Sequence, residues 1–178
     1  VRIAIGNRTG WVHQVRGGFL VNRRTFMLTA SASTLVAPAF AQGFSSMRYT
    51  ALALQTVCDA VNQDSSIDAA HARMDRAISR VRGQIGAAKG FLKGFNGYDV
   101  KLVVLPEYWM TGFPLGESRE EWQDKAAIPM DGAVPEKLAS LAQTFGIYLC
   151  SNHYETDPNF PDLYFQSNVI YAPNGDTA

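Results

Sequence analysis

Apolar residues recur along the chain with two different periods. From Ile67 they fall at Ala70, Met74, Ile78, Val81, Ile85, Ala88, Leu92 and Phe95, always three or four apart, which places them on one face of a long helix. Ser65 with Asp68 reads as a capping box at its start, and Gly94 with Gly97 as its stop. The other face carries Asp68, Arg73, Arg76, Arg80, Arg82 and Lys89, a pattern that predicts a solvated surface. The glycines of "GQIGAAKG" fall inside this helix, where they permit close packing.

Strand-sized apolar runs surround the helix. "MRYTALALQTV" precedes it and "VKLVVL", Val100 to Leu105, follows it. The second run hardly alternates, which predicts a strand covered on both faces, as in a parallel sheet. "GESREEWQDKAAIPMDGA" is rich in charge and turn residues and reads as a linker. "VPEKLASLAQTFG" reads as a second helix, with Pro135 in its first turn and Gly146 at its stop. "IYLCSNHYE" and "LYFQSNVIYA" read as strands joined by a short Pro/Asp/Asn loop, and "PNGD" as the turn after them. The order β-α-β-α-β-β predicts an α/β layered fold ending in a hairpin.

Composition narrows the class. The chain has 178 residues, enough for one domain with a real core, and 47% apolar against 18% charged residues describes a globular protein. The formal charge is zero, but five arginines (2, 8, 16, 23 and 24) and no acid lie within residues 1–41. The remainder holds 11 basic and 16 acidic residues, net −5, which argues against a nucleic-acid partner.

The basic head, residues 1–41, has its own reading. Arg23 and Arg24 precede a modestly apolar stretch from Phe26 to Phe40, and Ala39-Phe40-Ala41 has a small-x-small pattern. This is the layout of an export signal peptide, and the arginine pair resembles the twin-arginine type. Cleavage there would leave residues 42–178 in the periplasm or outside the cell. The alternative, an uncleaved anchor, would need about 18 apolar residues. Residues 1–20 carry no clear role.

Cys58 and Cys150 do not make a disulfide scaffold, and each ends an apolar run where a small buried hydrophobe is expected. No C-x-x-C or H-E-x-x-H occurs, so neither a metal nor a cofactor is expected. His13, His71 and His153 are scattered and read as structural or exposed.

The candidate chemistry lies in "VKLVVLPEYWMTGFP". A buried strand runs into Pro106 and then a carboxylate, Glu107, among Tyr108, Trp109 and Phe113. Ligands of open α/β sheets bind beyond the carboxyl ends of parallel strands, and beside aromatic rings a charged carboxylate loses solvation, which suits a general acid or base. The residues alone leave a second reading open, an acid that caps a turn or pairs with an arginine.

"LVVLPEYWMTGFP" resembles the first catalytic motif of the nitrilase, or carbon–nitrogen hydrolase, superfamily: an apolar strand, Pro-Glu, an aromatic residue and a Thr-Gly-Tyr/Phe-Pro type turn. "MDGAVPEKLASLAQTFGIYL" and "FQSNVIYAPNGD" are similar to later segments of that family, so the likeness covers residues 47–178. The resemblance implies a nitrilase-like α-β-β-α sandwich, of which this chain holds the N-terminal half. It implies hydrolysis of a small-molecule amide or nitrile by a Glu-Lys-Cys constellation: cysteine attacks, glutamate moves protons, lysine stabilises developing charge. Only Glu107 carries over, as the catalytic glutamate. Tyr108 beside it is a candidate to line the substrate pocket, with packing the other reading. Lys101, Lys125 and Lys137 do not stand at the family's lysine position, nor Cys58 and Cys150 at that of its cysteine. The expectation is therefore a truncated hydrolase, inactive by itself and a homo-oligomer when full length.

The residues bear on other classes as well. A non-catalytic binding module on the same fold would retain Glu107 structurally. A nucleotide-binding domain lacks its glycine-rich turn, since "QTVCDAVNQDSS" has no glycine, and no G-x-S-x-G elbow supports a serine hydrolase.

Overall fold

The computed structural model describes residues 2–4, as backbone, and residues 48–177. The export signal read in the head, residues 1–41, rests on Arg23 to Ala41, which lie outside these, and everything below concerns the unit formed by residues 1–6 and 49–178. Its elements are β1 (Arg2–Ala4), β2 (Thr50–Ala53), α1 (Ile67–Asn96), β3 (Val100–Val104), α2 (Arg119–Ala126), β4 (Ala127–Pro129), α3 (Ala133–Phe145), β5 (Tyr148–Thr156) and β6 (Tyr164–Tyr171).

One sheet holds the strands in the order β1-β6-β5-β3-β2. β2, β3 and β5 run parallel, and β5 and β6 form the expected antiparallel hairpin, with eight paired residues from Leu149↔Tyr171 to Thr156↔Tyr164. β4 pairs with β5 as well, in parallel, along residues 154–156, whereas β3 pairs with residues 148–150. β3 and β4 thus occupy one edge of β5 in succession. The chain leaves the sheet between them, at Pro106 and Glu107.

The helices behave as their patterns dictate, with shifts at the ends. α1 is capped by Ser66, not Ser65: the Ser66 hydroxyl accepts from Ala69 N, one residue later than the sequence suggested. Its stop is Gly97 in the left-handed region (φ 79°), while Gly94 stays helical. Ala70, Met74, Ala77, Ile78, Val81 and Ile85 are buried, but Phe95 is exposed, because 30 residues make a helix of about 45 Å that outruns the sheet. Of the three glycines, only Gly86 meets a neighbour, the Phe145 ring. The polar face is more than a solvated surface. Arg73 pairs with Asp64 at 2.6 Å, Arg80 with Asp59, and Lys89 with Asp99 at 2.6 Å, so α1 ties down the loop that follows β2 and the one that precedes β3.

Three expectations are corrected. The segment expected to be a linker contains α2 and β4; α2 opens with a full capping box between Ser118 and Glu121 and buries Trp122. The strand expected over "MRYTALALQTV" is shorter, because after Ala53 the chain turns to follow the loop beyond β3, with Asp59 N donating to Trp109 O and Val61 N to Thr111 O. And β3 is not covered on both faces. Val103 and Leu149 are fully buried under the helices, whereas Val104 (39% exposed), Tyr148 (46%) and Ile170 (39%) stand on the opposite face. That second face is bare and apolar only in part: beside Val104, Tyr148 and Ile170 it is open, whereas towards the end of β5 Tyr154 is buried against Trp122 of α2.

Candidate functional site

Glu107 follows β3 at its carboxyl end, at the break where β5 changes partner from β3 to β4. The loop is shaped by two features. Tyr108 adopts φ 58°, a left-handed conformation that a bulky residue takes at a cost of about 1–2 kcal/mol. Gly112 (φ 74°) then closes the turn, its N–H donating to Tyr108 O at 2.9 Å. The loop is anchored from below: Trp109 is buried and its indole N–H donates to Ser151 Oγ at 3.2 Å. Its backbone is held from the side by Asn152, whose Oδ1 accepts from Tyr108 N at 3.1 Å.

Glu107 itself is exposed, so the desolvation expected from its aromatic neighbours is not provided by the described residues. Instead its Oε1 accepts a hydrogen bond from Gln166 Nε2 at 2.7 Å. Gln166 and Asn152 lie on the sheet face that carries Tyr148 and Ile170, which puts this carboxylate beside the part of that face covered by Tyr154 and Trp122. Beside it lies an aromatic group. Tyr108 packs on Phe113 and Tyr154 at 5.6 and 6.1 Å between ring centres, and Tyr154 meets Trp122 and Tyr164 edge-on. Tyr108 is half-buried, with one side of its ring in this cluster.

The other residues considered from sequence lie elsewhere. Lys101 pairs with Asp99 at 3.1 Å, Lys137 with Asp75 at 2.5 Å, and Lys125 donates to Asn62 O at 3.4 Å. Both cysteines are free thiols, but neither is buried as expected: Cys58 is exposed in the loop after β2 and Cys150 half-exposed on the bare face. Partial burial pushes both thiols up, the wrong direction for a ready nucleophile. Cys58 Sγ donates to Tyr108 O at 3.1 Å, a contact that serves the loop. His153 is buried on the helix side, and desolvation lowers it to about 4, so it is a neutral core residue. Among the described residues no group of three or more His, Cys, Asp or Glu could hold a metal ion. Two clefts of about 460 and 280 Å³, lined by residues such as Ser79 and Arg82 and by His71 and Val134, lie by the helices and do not include Glu107.

Residues 56–178 match the family described as carbon-nitrogen hydrolase, more than two thirds of the chain. The chain belongs to the carbon-nitrogen hydrolase family. Its mixed α/β architecture, with parallel strands under one layer of helices, is part of that family's nitrilase fold. Among solved structures, the chain is similar to one described as an N-terminal amidase, at 19% identity and a TM-score of 0.45, over 60% of this chain and 23% of that one. It is also similar to Saccharomyces cerevisiae Nit3, a member of branch 10 of the nitrilase superfamily, at 20% identity and a TM-score of 0.42, over 72% and 40%. The chain thus spans less than half the length of either. Nothing among curated proteins matches it.

In this hydrolase-family chain, the residue missed from sequence is Gln166. The spacing of β6 showed it to be a strand residue, but its contact with Glu107 spans 59 positions and leaves no local signature.

Proposed function

We propose that this chain carries the proton-transfer glutamate, Glu107, of an enzyme that hydrolyses a non-peptide carbon–nitrogen bond, an amide or a nitrile, by a Glu-Lys-Cys mechanism. The observation that supports this is the placement of Glu107. A left-handed residue presents an accessible carboxylate at the carboxyl end of a parallel strand, in a chain of the carbon-nitrogen hydrolase family. In the proposed reaction the glutamate takes the thiol proton as sulfur attacks the substrate carbon and the lysine stabilises the charge that develops on the heteroatom. For an amide, the glutamate then hands the proton to the departing amine and accepts one from the water that cleaves the thioester. The lysine and cysteine come from outside residues 1–178. Lys101, Lys125 and Lys137 have other partners, and neither thiol is activated. Tyr108 lines the substrate side of the carboxylate.

The test is Glu107→Gln in the full-length enzyme. An exposed side chain with one hydrogen bond predicts a folded protein whose turnover falls by at least about 100-fold. Turnover near that of the parent enzyme refutes the assignment.

Export is proposed on the sequence of the head alone. Mass analysis of the protein recovered from its native cell is expected to find a mature chain beginning at Gln42, and an intact head overturns that reading.

A further inference from the structure

We propose that Gln166 is a positioning residue for Glu107, holding Oε1 as a hydrogen-bond acceptor and so reserving Oε2 for proton transfer. This rests on the reading of Glu107 as a proton-transfer residue.

The direction of every bond in the network follows from two backbone groups that cannot be turned round. Tyr108 N–H can only donate, and it meets Asn152 Oδ1 at 3.1 Å; Ser167 C=O can only accept, and it meets Asn152 Nδ2 at 3.3 Å. The Asn152 amide is therefore fixed in orientation, with its oxygen toward Gln166. The Gln166 atom facing that oxygen at 3.5 Å must be a donor, which makes it Nε2. Its second hydrogen goes to Glu107 Oε1 at 2.7 Å, the length of a charge-assisted bond. The Gln166 carbonyl oxygen is then left for the Tyr108 hydroxyl, 3.5 Å away. The two long contacts orient the amide, and the short one holds the carboxylate.

The backbone beneath is rigid. Gln166 lies within the eight-residue β5/β6 ladder, opposite Tyr154, and its neighbour Ser167 is pinned on the other face by donating to the buried Glu155 at 2.6 Å. A proton placed on Oε1 would face an N–H group, so protonation goes to Oε2, which accepts no hydrogen bond among the described residues. The titratable groups around the carboxylate are Tyr108, Tyr154 and the Cys58 thiol on the adjoining loop; burial raises Tyr154 and Cys58, so neither titrates below neutral pH.

The experiment compares Gln166→Met, which keeps the volume and removes the donor, with Gln166→Glu, which sets an acceptor against an acceptor. Each is read in two ways in the full-length enzyme, by carbon-13 NMR titration of the Glu107 side-chain carboxyl and by steady-state kinetics. Removing the donor is expected to raise the Glu107 titration midpoint by roughly half a pH unit and Gln166→Glu by about one or more, with the acid limb of the kcat profile moving alike. At pH 7 kcat is expected to fall about tenfold in Gln166→Met and further in Gln166→Glu, with KM within about twofold. A residue that merely packs would leave the titration unmoved and make the two variants equal. Folded variants, checked by circular dichroism, with an unchanged midpoint overturn the proposal. Shifted midpoints in a protein that turns over neither amides nor nitriles would support the hold of Gln166 on Oε1 and sink the hydrolase reading alone.

Discussion

Acidification tests the core of this chain through one residue. His153 lies in the middle of β5, 2% exposed, with Nε2 3.4 Å from Met130 Sδ and Nδ1 without a hydrogen-bond partner. Water solvates an imidazolium well and this site does not, so burial lowers the group from 6.5 to about 4. Between those values the unfolded chain binds a proton that the folded chain refuses. Stability is therefore fully present above pH 6.5, falls as the pH drops toward 4, and levels off below that for this group. The lowered value corresponds to about 3 kcal/mol lost across the window. His153→Leu removes the titration, and because the ring makes one contact to sulfur and leaves an orphan nitrogen, it is expected to cost about 1 kcal/mol or less at pH 7. Urea unfolding of both proteins at intervals from pH 7.5 to 4 is the assay. The difference between the two curves should change by about 3 kcal/mol toward pH 4, so that they cross and His153→Leu becomes the more stable. Parallel curves refute the reasoning. They would mean that the imidazolium is accommodated, with Glu155, two residues along on the same face, as the nearest candidate to receive it.

Other perturbations probe the loop and its supports. Tyr108→Gly is expected to be more stable than Tyr108→Ala by about 1 kcal/mol, the reverse of the usual order, because both lose the ring but only glycine relaxes at φ 58°; equal unfolding midpoints would remove the strain from the account. Ser118→Ala should cost about 1 kcal/mol by opening the capping box of α2, read by chemical denaturation, and a loss below a few tenths would contradict it. Trp109→Ala, which empties the buried floor of the Glu107 loop, should cost about 3–5 kcal/mol. Alkylation of Cys58 and Cys150 at pH 8 should be slower in the folded chain than in the unfolded one, with the gap closing as pH rises, since both thiols are pushed up; faster reaction in the folded chain would refute this.

Much of the local structure was legible because it depends on short spacing. The three- and four-residue steps from Ile67 to Ile85 define a helical face whatever packs on it, and Gly97 and Gly146 stop their helices because each adopts a left-handed conformation that other residues resist. The Ser118 capping box is equally local, but the charges and turn residues of its segment mask it. Glu107 could be singled out because Pro106 and the aromatic run mark the end of a strand.

What no local pattern contained is which surfaces meet. An apolar strand such as "VKLVV" states that its side chains would leave water, not that helices cover Val103 and nothing described covers Val104. The same holds for the cysteines, whose apolar neighbours implied burial that the bare face and the loop do not supply. β4 is three residues long and exists only because β5 offers an edge beyond the end of β3. The partner of Glu107 is set by strand pairing, which brings Gln166 to it across 59 positions. By itself the sequence determined the elements, the α/β class and the carboxylate at a strand end, because these follow from period, capping and turn chemistry. The tertiary structure decided which part of the sheet is bare, where the chain leaves the sheet and which amide holds the carboxylate, because pairing and packing join residues distant along the chain.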